Sequence, residues 1–228
     1  MDIDKYKPQK LAIFRDMSEG DIIKLVEATG GEIVGYKKGD MLLKAYGKND
    51  RLGILLAGRG QVKTEDYQGN EKTGHAVLPG ALVGTTSAIL SDIPLNIAVE
   101  ATESADVLWI PYKTLITKGT GLGRLHGIFM RNILEAFARK NLKMVEKLEI
   151  LSEKTLRERL IAYILQQEKI QGGELVKVPG RVQLSKELEC NRSALTREIA
   201  AMLAEDILFL TDDYMRLDKK KIFNLEEK

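Results

Sequence analysis

The stretch from Leu184 to Leu208 constrains the fold most, because its pattern predicts two short helices joined by a tight turn. Ser185 can cap the first helix and Asn191 the second, since both side chains accept hydrogen bonds from the free N–H groups at a helix start. One apolar stripe with helical spacing runs along the second helix and consists of Leu195, Ile199, Met202 and Leu203. The segment therefore predicts a helix pair whose second helix buries one face.

The opposite face of the second helix carries short or polar side chains, with Arg197 reaching out from it and Arg192 reaching from the first turn. Short side chains let a backbone approach the major groove of DNA, and the arginine fork can bond guanine or phosphate. An ordinary amphipathic surface helix is the alternative, but the order of capped helix, turn, capped helix and strand pair favours DNA binding. The predicted DNA-contacting residues are Ser185, Asn191, Arg192, Ser193, Thr196 and Arg197.

Composition excludes several other classes of function. The formal net charge is only +2, so any surface that binds nucleic acid must be local. Cys190 is the single cysteine, which excludes an internal disulfide and a cysteine-ligated cluster within one chain. His75 and His126 lie far apart, and we assign no metal. With no long apolar run and no signal-peptide pattern, we expect a cytoplasmic protein that does not bind membranes.

Residues 9–29 predict short helices, with Ser18 as a cap that Asp21 answers three residues later. Residues 30–111 then alternate short β-prone runs with turn signals, which favours an antiparallel sandwich or rolled barrel. A short helix is predicted from Leu82 to Leu90. The predicted strands are Glu32–Tyr36, Met41–Ala45, Leu52–Leu56, Gly60–Asp66, Lys72–Leu78, Asn96–Ala101 and Ala105–Ile110.

A long helix is predicted from Leu122 to Leu151, after a flexible glycine-rich entry. Its apolar positions recur every seven residues, as in a coiled-coil seam, and Asn141 occupies one of them. A buried asparagine there can select a parallel dimer, although a single helix packed on its own domain is the alternative. The predicted dimer interface consists of Met130, Leu134, Phe137, Asn141, Met144, Leu148 and Leu151.

The C-terminal part predicts a helix from Ser152 to Lys169 with Ser152 as its cap, then a strand from Glu174 to Val178. Leu208–Thr211 and Tyr214–Leu217 flank Asp212-Asp213 and predict a hairpin that would form a wing. We therefore expect three segments: residues 1–118 as a sensing domain, 119–151 as a dimerisation helix and 152–228 as a DNA-binding domain.

The order of these parts resembles the CRP/FNR family of bacterial transcription regulators over nearly the whole chain. The runs that carry the resemblance are Lys38-Gly39-Asp40, Leu55–Arg59, Asp66–Gly69, Leu78–Gly84 and Leu195–Arg197. The resemblance implies an α+β fold with an N-terminal antiparallel β-roll like a cyclic-nucleotide-binding domain, a long dimerisation helix and a C-terminal winged helix-turn-helix. It also implies a homodimer that reads a palindromic operator in double-stranded DNA and acts with RNA polymerase.

By the same resemblance, Arg192, Ser193 and Arg197 take the base-reading positions. Members that bind cyclic nucleotides carry a glutamate and an arginine where this chain has Thr85 and Leu95. Leucine cannot pair with a phosphate, so we do not expect cyclic AMP as the effector. Some members of the family sense through an iron–sulfur cluster or a haem. This chain lacks the cysteines that would hold the cluster and the histidine or cysteine that would ligate the haem.

A different effector pocket is implied, which offers hydroxyl groups and an apolar floor and suits a small, uncharged or weakly acidic organic molecule. Its predicted lining is Gly84, Thr85, Thr86, Ser87, Leu95, Asn96, Met144 and Val145. The alternative is an empty scaffold or a sensor of protein contacts. We expect the effector to bind between the roll and the long helix and to reorient the DNA-binding domains near Leu151–Ser152.

Two rival classes of function remain open. The chain could be a ligand-binding signalling module whose C-terminal helices bind proteins instead of DNA. An enzyme is disfavoured, because the sequence offers no nucleophile with a paired base, no metal cluster and no P-loop. The Gly119–Gly123 run precedes a helix, but it lacks the spacing of a dinucleotide-binding motif and is interpreted as a hinge.

Overall fold

The computed structural model describes residues 3–223 and divides into two compact units, one ending at Phe137 and the other beginning at Ala138. The helices are α1 (Glu19–Thr29), α2 (Thr85–Ile89), α3 (Tyr112–Thr117), α4 (Arg124–Ser152), α5 (Leu156–Gln171), α6 (Arg181–Glu187), α7 (Arg192–Ala204) and α8 (Lys219–Ile222). Short 3-10 turns lie at Asp4–Tyr6, Pro8–Lys10, Ala12–Phe14 and Gly119–Leu122. None of the helices within residues 3–223 has the length and apolarity that a membrane crossing requires.

The strands of the first unit form two antiparallel four-stranded sheets, which confirms the predicted antiparallel roll. They are β1 (Glu32–Tyr36), β2 (Met41–Leu43), β3 (Arg51–Ala57), β4 (Gly60–Glu65), β5 (Glu71–Val77), β6 (Leu82–Val83), β7 (Ala98–Ala101) and β8 (Ala105–Pro111). One sheet has the order β1-β8-β3-β6 and the other β2-β7-β4-β5. The second unit has β9 (Val176–Lys177), β10 (Leu208–Thr211) and β11 (Tyr214–Leu217).

The helix that the sequence predicts after Ser18 is present in the first unit as α1. Ser18 caps α1 as expected: its hydroxyl accepts a hydrogen bond from the Asp21 backbone N–H at 3.2 Å. The Asp21 carboxylate accepts in return from the Ser18 N–H at 3.0 Å, which completes a capping box. α1 ends where Gly30 adopts a left-handed conformation with φ 68°, which glycine tolerates without a Cβ clash.

The helix predicted from Leu82 to Leu90 is wrong in its first part. Leu82 pairs with Ile54 and Val83 pairs with Gly53 as strand β6, and helix α2 begins only at Thr85. The ladder with β3 gives these backbone groups partners that a helix would have to supply internally. Gly84 makes the change of direction, because its φ of 68° suits a residue without a side chain.

Strand β3 is buried on both faces, which explains its nearly continuous apolar sequence. Leu52, Ile54 and Leu56 face a core that α1, α3 and the first half of α4 complete. Leu55 faces the interior of the roll, together with Val107 and Trp109. The strand therefore separates two apolar cores within one unit.

The N-terminal turns are held against the first half of α4. Phe14 stacks on Phe129 with ring centroids 5.7 Å apart. The buried amide of Asn132 donates to the carbonyl oxygens of Ile13 at 3.1 Å and Arg15 at 2.8 Å. These contacts make the beginning of α4 part of the first unit. The predicted helix from Leu122 to Leu151 agrees with α4 within two residues.

Two predicted helix caps in the second unit are wrong. Ser152 is still the last residue of α4, where its hydroxyl donates to the Glu149 carbonyl at 2.7 Å. α5 is capped by Thr155, whose hydroxyl accepts from the Glu158 N–H, while Glu158 accepts from the Thr155 N–H. This reciprocal pair satisfies two free N–H groups, whereas a cap at Ser152 would satisfy one.

Ser185 is also not a cap. α6 begins at Arg181 after Gly180, so Ser185 lies inside the helix, where it is buried and donates to the Val182 carbonyl at 3.0 Å. The predicted wing hairpin is confirmed, since Thr211 pairs with Tyr214 and Asp212 adopts a left-handed turn conformation. β9 adds a third strand through pairs between Val176 and Met215 and between Lys177 and Tyr214, and it is shorter than predicted.

The tight bend at Gly58 allows a test of how closely the backbone of the roll is packed. Gly58 has φ +83°, and a Cβ there would lie 2.6 Å from the Ala105 Cα and would also clash with the Ser104 carbonyl. We expect Gly58→Ala to lower the free energy of unfolding by about 3 kcal/mol, because neither backbone group can move away freely. Chemical denaturation monitored by circular dichroism measures this loss.

Gly39→Ala is the matched control for this substitution. Gly39 also has positive φ, at +91°, but a Cβ there meets nothing within 4 Å. Gly39→Ala should therefore lower the free energy of unfolding only by the cost of the left-handed conformation, about 1–2 kcal/mol. Equal losses in the two variants would contradict the clash at Gly58.

Candidate nucleic-acid interface and effector site

Helix α7 is oriented by its apolar stripe. Leu195, Ile199 and Met202 are buried in the core of the second unit, as the sequence predicts, and Leu203 is half-buried. The opposite face is exposed and carries the short or charged side chains Ser193, Thr196, Arg197 and Ala200. The exposed face of the helix is thus polar and carries mostly short side chains, so the helix backbone can come close to a groove of nucleic acid.

Arg192 and Arg197 are both exposed on this helix. Within residues 3–223 neither guanidinium has a hydrogen-bond or ion-pair partner, and the one side chain that bonds Arg192, the Thr196 hydroxyl, donates to its backbone carbonyl at 2.9 Å. An unpaired arginine fork keeps all its donors for an external acceptor. The two arginines therefore form the chemically available part of the candidate interface.

The remaining predicted contact residues differ in accessibility. Asn191 occupies the N-cap position of α7 as predicted, but its side chain makes no capping hydrogen bond and is exposed. Ser193 and Thr196 are exposed as well. Ser185 is only 6% exposed, and its hydroxyl already bonds Val182. It is therefore the one predicted contact residue whose side chain is not accessible to DNA.

Arg157 of α5 is a residue of this interface that the sequence analysis missed. Its guanidinium bonds the Glu198 carboxylate at 2.6 Å and the Glu205 carboxylate at 2.6 and 2.8 Å. Glu205, and then Glu198, raise the pKa of Arg157, and Arg157 lowers the pKa of Glu205. The pairing sets one positive charge against two carboxylates and so offsets part of the negative charge beside the α7 arginines. No local pattern could indicate it, because the partners lie 41 and 48 residues apart.

The wing and the basic run near the C-terminus contribute less positive charge than their composition indicates. The hairpin turn holds two exposed carboxylates, Asp212 and Asp213. Lys219 pairs with Glu168 at 2.9 Å and with Glu174 at 3.3 Å, and these hydrogen bonds raise its pKa. Lys219 is therefore engaged in ion pairs, whereas Arg192 and Arg197 of α7 are available to a polyanion.

The predicted seam of α4 is mostly exposed in the single chain. Leu134 and Leu148 are each 64% exposed and Met144 is 56% exposed, while Asn141 is also exposed. Met130, Phe137 and Leu151 are half-buried. Large apolar side chains at heptad spacing are normally covered by a second helix, so this seam is a candidate interface between two chains.

The predicted effector residues of the first unit lie on α2 and in the loop that precedes β7. Thr85 and Ser87 are buried and Thr86 is exposed. The Ser87 hydroxyl donates to the Gly84 carbonyl at 2.9 Å, whereas the buried Thr85 hydroxyl has no partner among the described residues. Asn49, which the sequence analysis did not select, holds this segment by donating to the Gly84 carbonyl at 2.8 Å and to Ser87 at 3.1 Å.

Leu95 and Asn96 are half-buried, and the Asn96 side chain is engaged within the roll. Its amide donates to the Glu65 carbonyl at 2.6 Å, and its oxygen accepts from the Glu65 N–H at 3.1 Å. Met144 and Val145 belong to the second unit and are exposed. These bonds fix the orientation of Asn96 and leave it one N–H donor and one oxygen lone pair for an effector.

No cluster of three or more metal-ligating side chains occurs in the part of the chain that the structure describes. Cys190 is half-buried rather than fully buried, and burial raises the pKa of its thiol. A raised thiol pKa lowers the thiolate fraction at neutral pH and makes the cysteine less reactive.

A β-roll of two antiparallel sheets, a long helix and a winged helix-turn-helix together form a CRP/FNR-like α+β fold. Comparison with protein-family models and with curated proteins gives no match. Among solved structures, CprK in complex with OCPA is similar, with 17% identity and a TM-score of 0.64 over 89% of this chain and 93% of that one.

Two further solved structures have the same architecture. The c-di-GMP-responsive global regulator CLP of Xanthomonas campestris has 14% identity and a TM-score of 0.56, covering 88% of this chain and 99% of that one. The catabolite activator protein of Thermus thermophilus has 18% identity and a TM-score of 0.53, covering 93% and 96%. The resemblance predicted from the sequence is thus confirmed for the fold.

The Arg157 cluster generates a pH-dependent prediction. Because Arg157 depresses the pKa of Glu205 in the folded state, the stability from this pair is present above the unfolded pKa of about 4.3 and is lost as pH falls through the folded value. We expect Arg157→Met to lower Tm most at neutral pH, with a difference from the wild type that shrinks below about pH 4. Thermal denaturation across this pH range measures the difference.

Arg159→Met serves as the control for this pH dependence. Arg159 bonds two backbone carbonyls, those of Glu153 at 3.0 Å and Leu188 at 3.5 Å. Carbonyl oxygens do not titrate in this range, so its Tm deficit should not vary with pH. A deficit of Arg157→Met that was equally constant would argue against the ion pairs.

Proposed function

We propose that this chain is a sequence-specific transcription regulator that binds double-stranded DNA as a homodimer and is controlled by a small-molecule effector in its β-roll. The observation that carries the proposal is the exposure of Arg192, in the first turn of α7, and of Arg197, on its polar face; neither guanidinium has a partner among residues 3–223. Arginine forks bond guanine and phosphate, and the short side chains beside them permit close approach to the major groove.

The charge distribution around α7 supports this proposal. Glu198 would repel phosphates if it were free, but Arg157, which also pairs with Glu205, holds it at 2.6 Å and offsets part of its charge. The exposed groups that remain on the same face are cationic or neutral, so α7 can approach a polyanion even though the chain as a whole carries a formal charge of only +2.

The exposed seam of α4 supports the dimer. Covering Leu134, Met144 and Leu148 with the same residues of a second chain removes large apolar side chains from water. In this arrangement Asn141 of the two chains would face each other and fix a parallel register. Two recognition helices would then read half-sites about 34–36 Å apart, one turn of DNA, in a palindromic operator.

The identity of the effector is constrained by what the roll lacks. Leu95 stands where a cyclic-nucleotide binder of the CRP/FNR family carries its arginine, and Thr85 replaces the glutamate. We therefore propose an effector other than cyclic AMP, and no haem or iron–sulfur cofactor. The similar structures support effector control in general, since one is bound to OCPA and another is described as responsive to c-di-GMP.

The effector would act by shifting the population between a form that binds the operator and a form that does not. RNA polymerase is the expected partner at a promoter, and we propose no catalytic activity. A signalling module that acts through protein partners is the alternative. It would appear in the experiment below as a failure to enrich any DNA sequence.

Selection from a random duplex pool tests the proposal and gives the operator. We expect enrichment of a palindrome with half-sites one helical turn apart. Arg197→Ala should then weaken binding to that duplex by about 1–3 kcal/mol, roughly 5- to 150-fold, because a bidentate contact is lost. Fluorescence anisotropy with labelled duplex, at several salt concentrations, measures the affinity.

Arg59→Ala is the matched control, since Arg59 is an exposed arginine of the other unit. It should bind the selected duplex like the wild type. The assignment of α7 as the recognition helix would fail if Arg197→Ala bound as tightly as Arg59→Ala.

The dimer is tested by charge substitution in the seam. Leu148→Glu places a carboxylate where apolar side chains of two chains would meet, so we expect the mass in analytical ultracentrifugation to fall to that of a monomer. Arg139→Glu changes the charge on α4 outside the heptad positions and should leave the dimer intact. A wild-type protein that sediments as a monomer at micromolar concentration would refute the dimer itself.

A further inference from the structure

A cleft of about 380 Å³ opens in the β-roll, and none of the predicted effector residues is among those that line it. Strands β1 and β8 form one wall, where Val34, Tyr36 and Trp109 face the cleft. Strand β2 supplies Met41 and Leu43 on the other side. All of these residues lie in the first unit, and the volume is within the usual range for a small-molecule site, about 300–1,000 Å³.

The aromatic wall of the cleft is held in a defined position. The Trp109 ring lies against Gly53, where a Cβ would come within 2.7 Å of the indole. The indole N–H donates to the Tyr36 hydroxyl oxygen at 2.9 Å. Tyr36 therefore accepts from Trp109 and retains its own O–H hydrogen, which can be donated to a ligand.

The mouth of the cleft is positively charged. Arg51 and Glu32 also line it, but they pair with each other and compensate their charges. Lys44 and Lys48 are exposed, and neither side chain has a hydrogen-bond or ion-pair partner among residues 3–223. Two available ammonium groups beside an apolar, aromatic interior suit a small molecule with a flat or apolar body and one carboxylate.

Asn49 connects this cleft with helix α2. Its amide lines the cleft and donates to three acceptors: the Arg51 carbonyl at 2.8 Å, the Gly84 carbonyl at 2.8 Å and the Ser87 hydroxyl at 3.1 Å. An amide group has two donor hydrogens, so three acceptors share them. A ligand acceptor that bonds this amide group would therefore compete with these three acceptors, two of which belong to the segment that begins α2.

We propose that this cleft binds a small amphipathic carboxylate and that Asn49 transmits its occupancy to α2. The ligand body packs on Trp109 and Tyr36, and its carboxylate binds Lys44 and Lys48. The transmission to DNA binding rests on the proposed function, whereas the binding site itself does not.

Ligand binding is tested with cinnamate, octanoate and indoleacetate by calorimetry, and with octanoate also by fluorescence. Trp109 is the only tryptophan of the chain, so its emission reports on the cleft wall. We expect at least one carboxylate to bind saturably and its neutral alcohol to bind at least about tenfold more weakly. Failure of all three carboxylates to bind would overturn the proposal.

Surface variants locate the site without disturbing the fold. Lys44→Gln with Lys48→Gln should reduce the affinity for the carboxylate to about that for the alcohol. The control is Lys37→Gln with Lys38→Gln, two exposed lysines that do not line the cleft, and it should bind like the wild type. Equal affinities in the two double variants would place the ligand elsewhere and overturn the assignment.

The role of Asn49 is tested on the selected duplex. In the wild type, the carboxylate should change the affinity for DNA by about fivefold or more. Asn49→Ala is compared with the wild type at a carboxylate concentration that calorimetry shows to saturate each protein, and its DNA affinity should no longer respond. Asn70→Ala is the control, because Asn70 bonds only within the turn at Asp66 and Gln68 and should keep the response.

The outcomes of these experiments separate the two proposals. If the carboxylate binds and no DNA sequence is ever enriched, the proposed function is wrong, whereas the assignment of the cleft as a carboxylate-binding site is supported. If DNA is bound and the carboxylate binds without changing that affinity, the transmission through Asn49 is wrong. A response that persists in Asn49→Ala would overturn the transmission in the same way.

Discussion

The burial of one side of α7 is the constraint on which the candidate interface depends. Leu195, Ile199 and Met202 enter the core of the second unit, so the helix can present only its opposite side to the exterior. Because side chains on a helix have fixed angular relations, this burial directs Arg197 outward, while Arg192 is exposed because it is the first residue of the helix. The arginines remain available for an external anion for this reason.

The first unit depends on a comparable constraint in strand β3. Leu52 and Leu55 face different cores, so the strand is covered on both sides. Its glycine at position 53 admits the Trp109 ring, which in turn bonds Tyr36. The same packing that stabilises the roll therefore also shapes a cleft with a rigid aromatic wall, and a rigid site loses little conformational entropy when it binds a ligand.

The features predicted correctly from the sequence depend on interactions between near neighbours in the chain. The Ser18 capping box, the apolar stripe of α7 and the wing hairpin all follow from residues within a few positions of one another. The caps assigned to Ser152 and Ser185 are wrong for an instructive reason. The reciprocal bonds of Thr155 and Glu158 define the start of α5, and this box could have been read from its four-residue spacing.

The sequence by itself determined the faces of the helices, since a period of 3.6 residues assigns each side chain of α4 and α7 to a side. Tertiary structure alone decided what meets those faces. Arg157 reaches Glu198 across 41 positions, and Asn49 reaches Gly84 across 35. Such pairs have no local period, because the distance between them in space is set by how the intervening strands and helices pack.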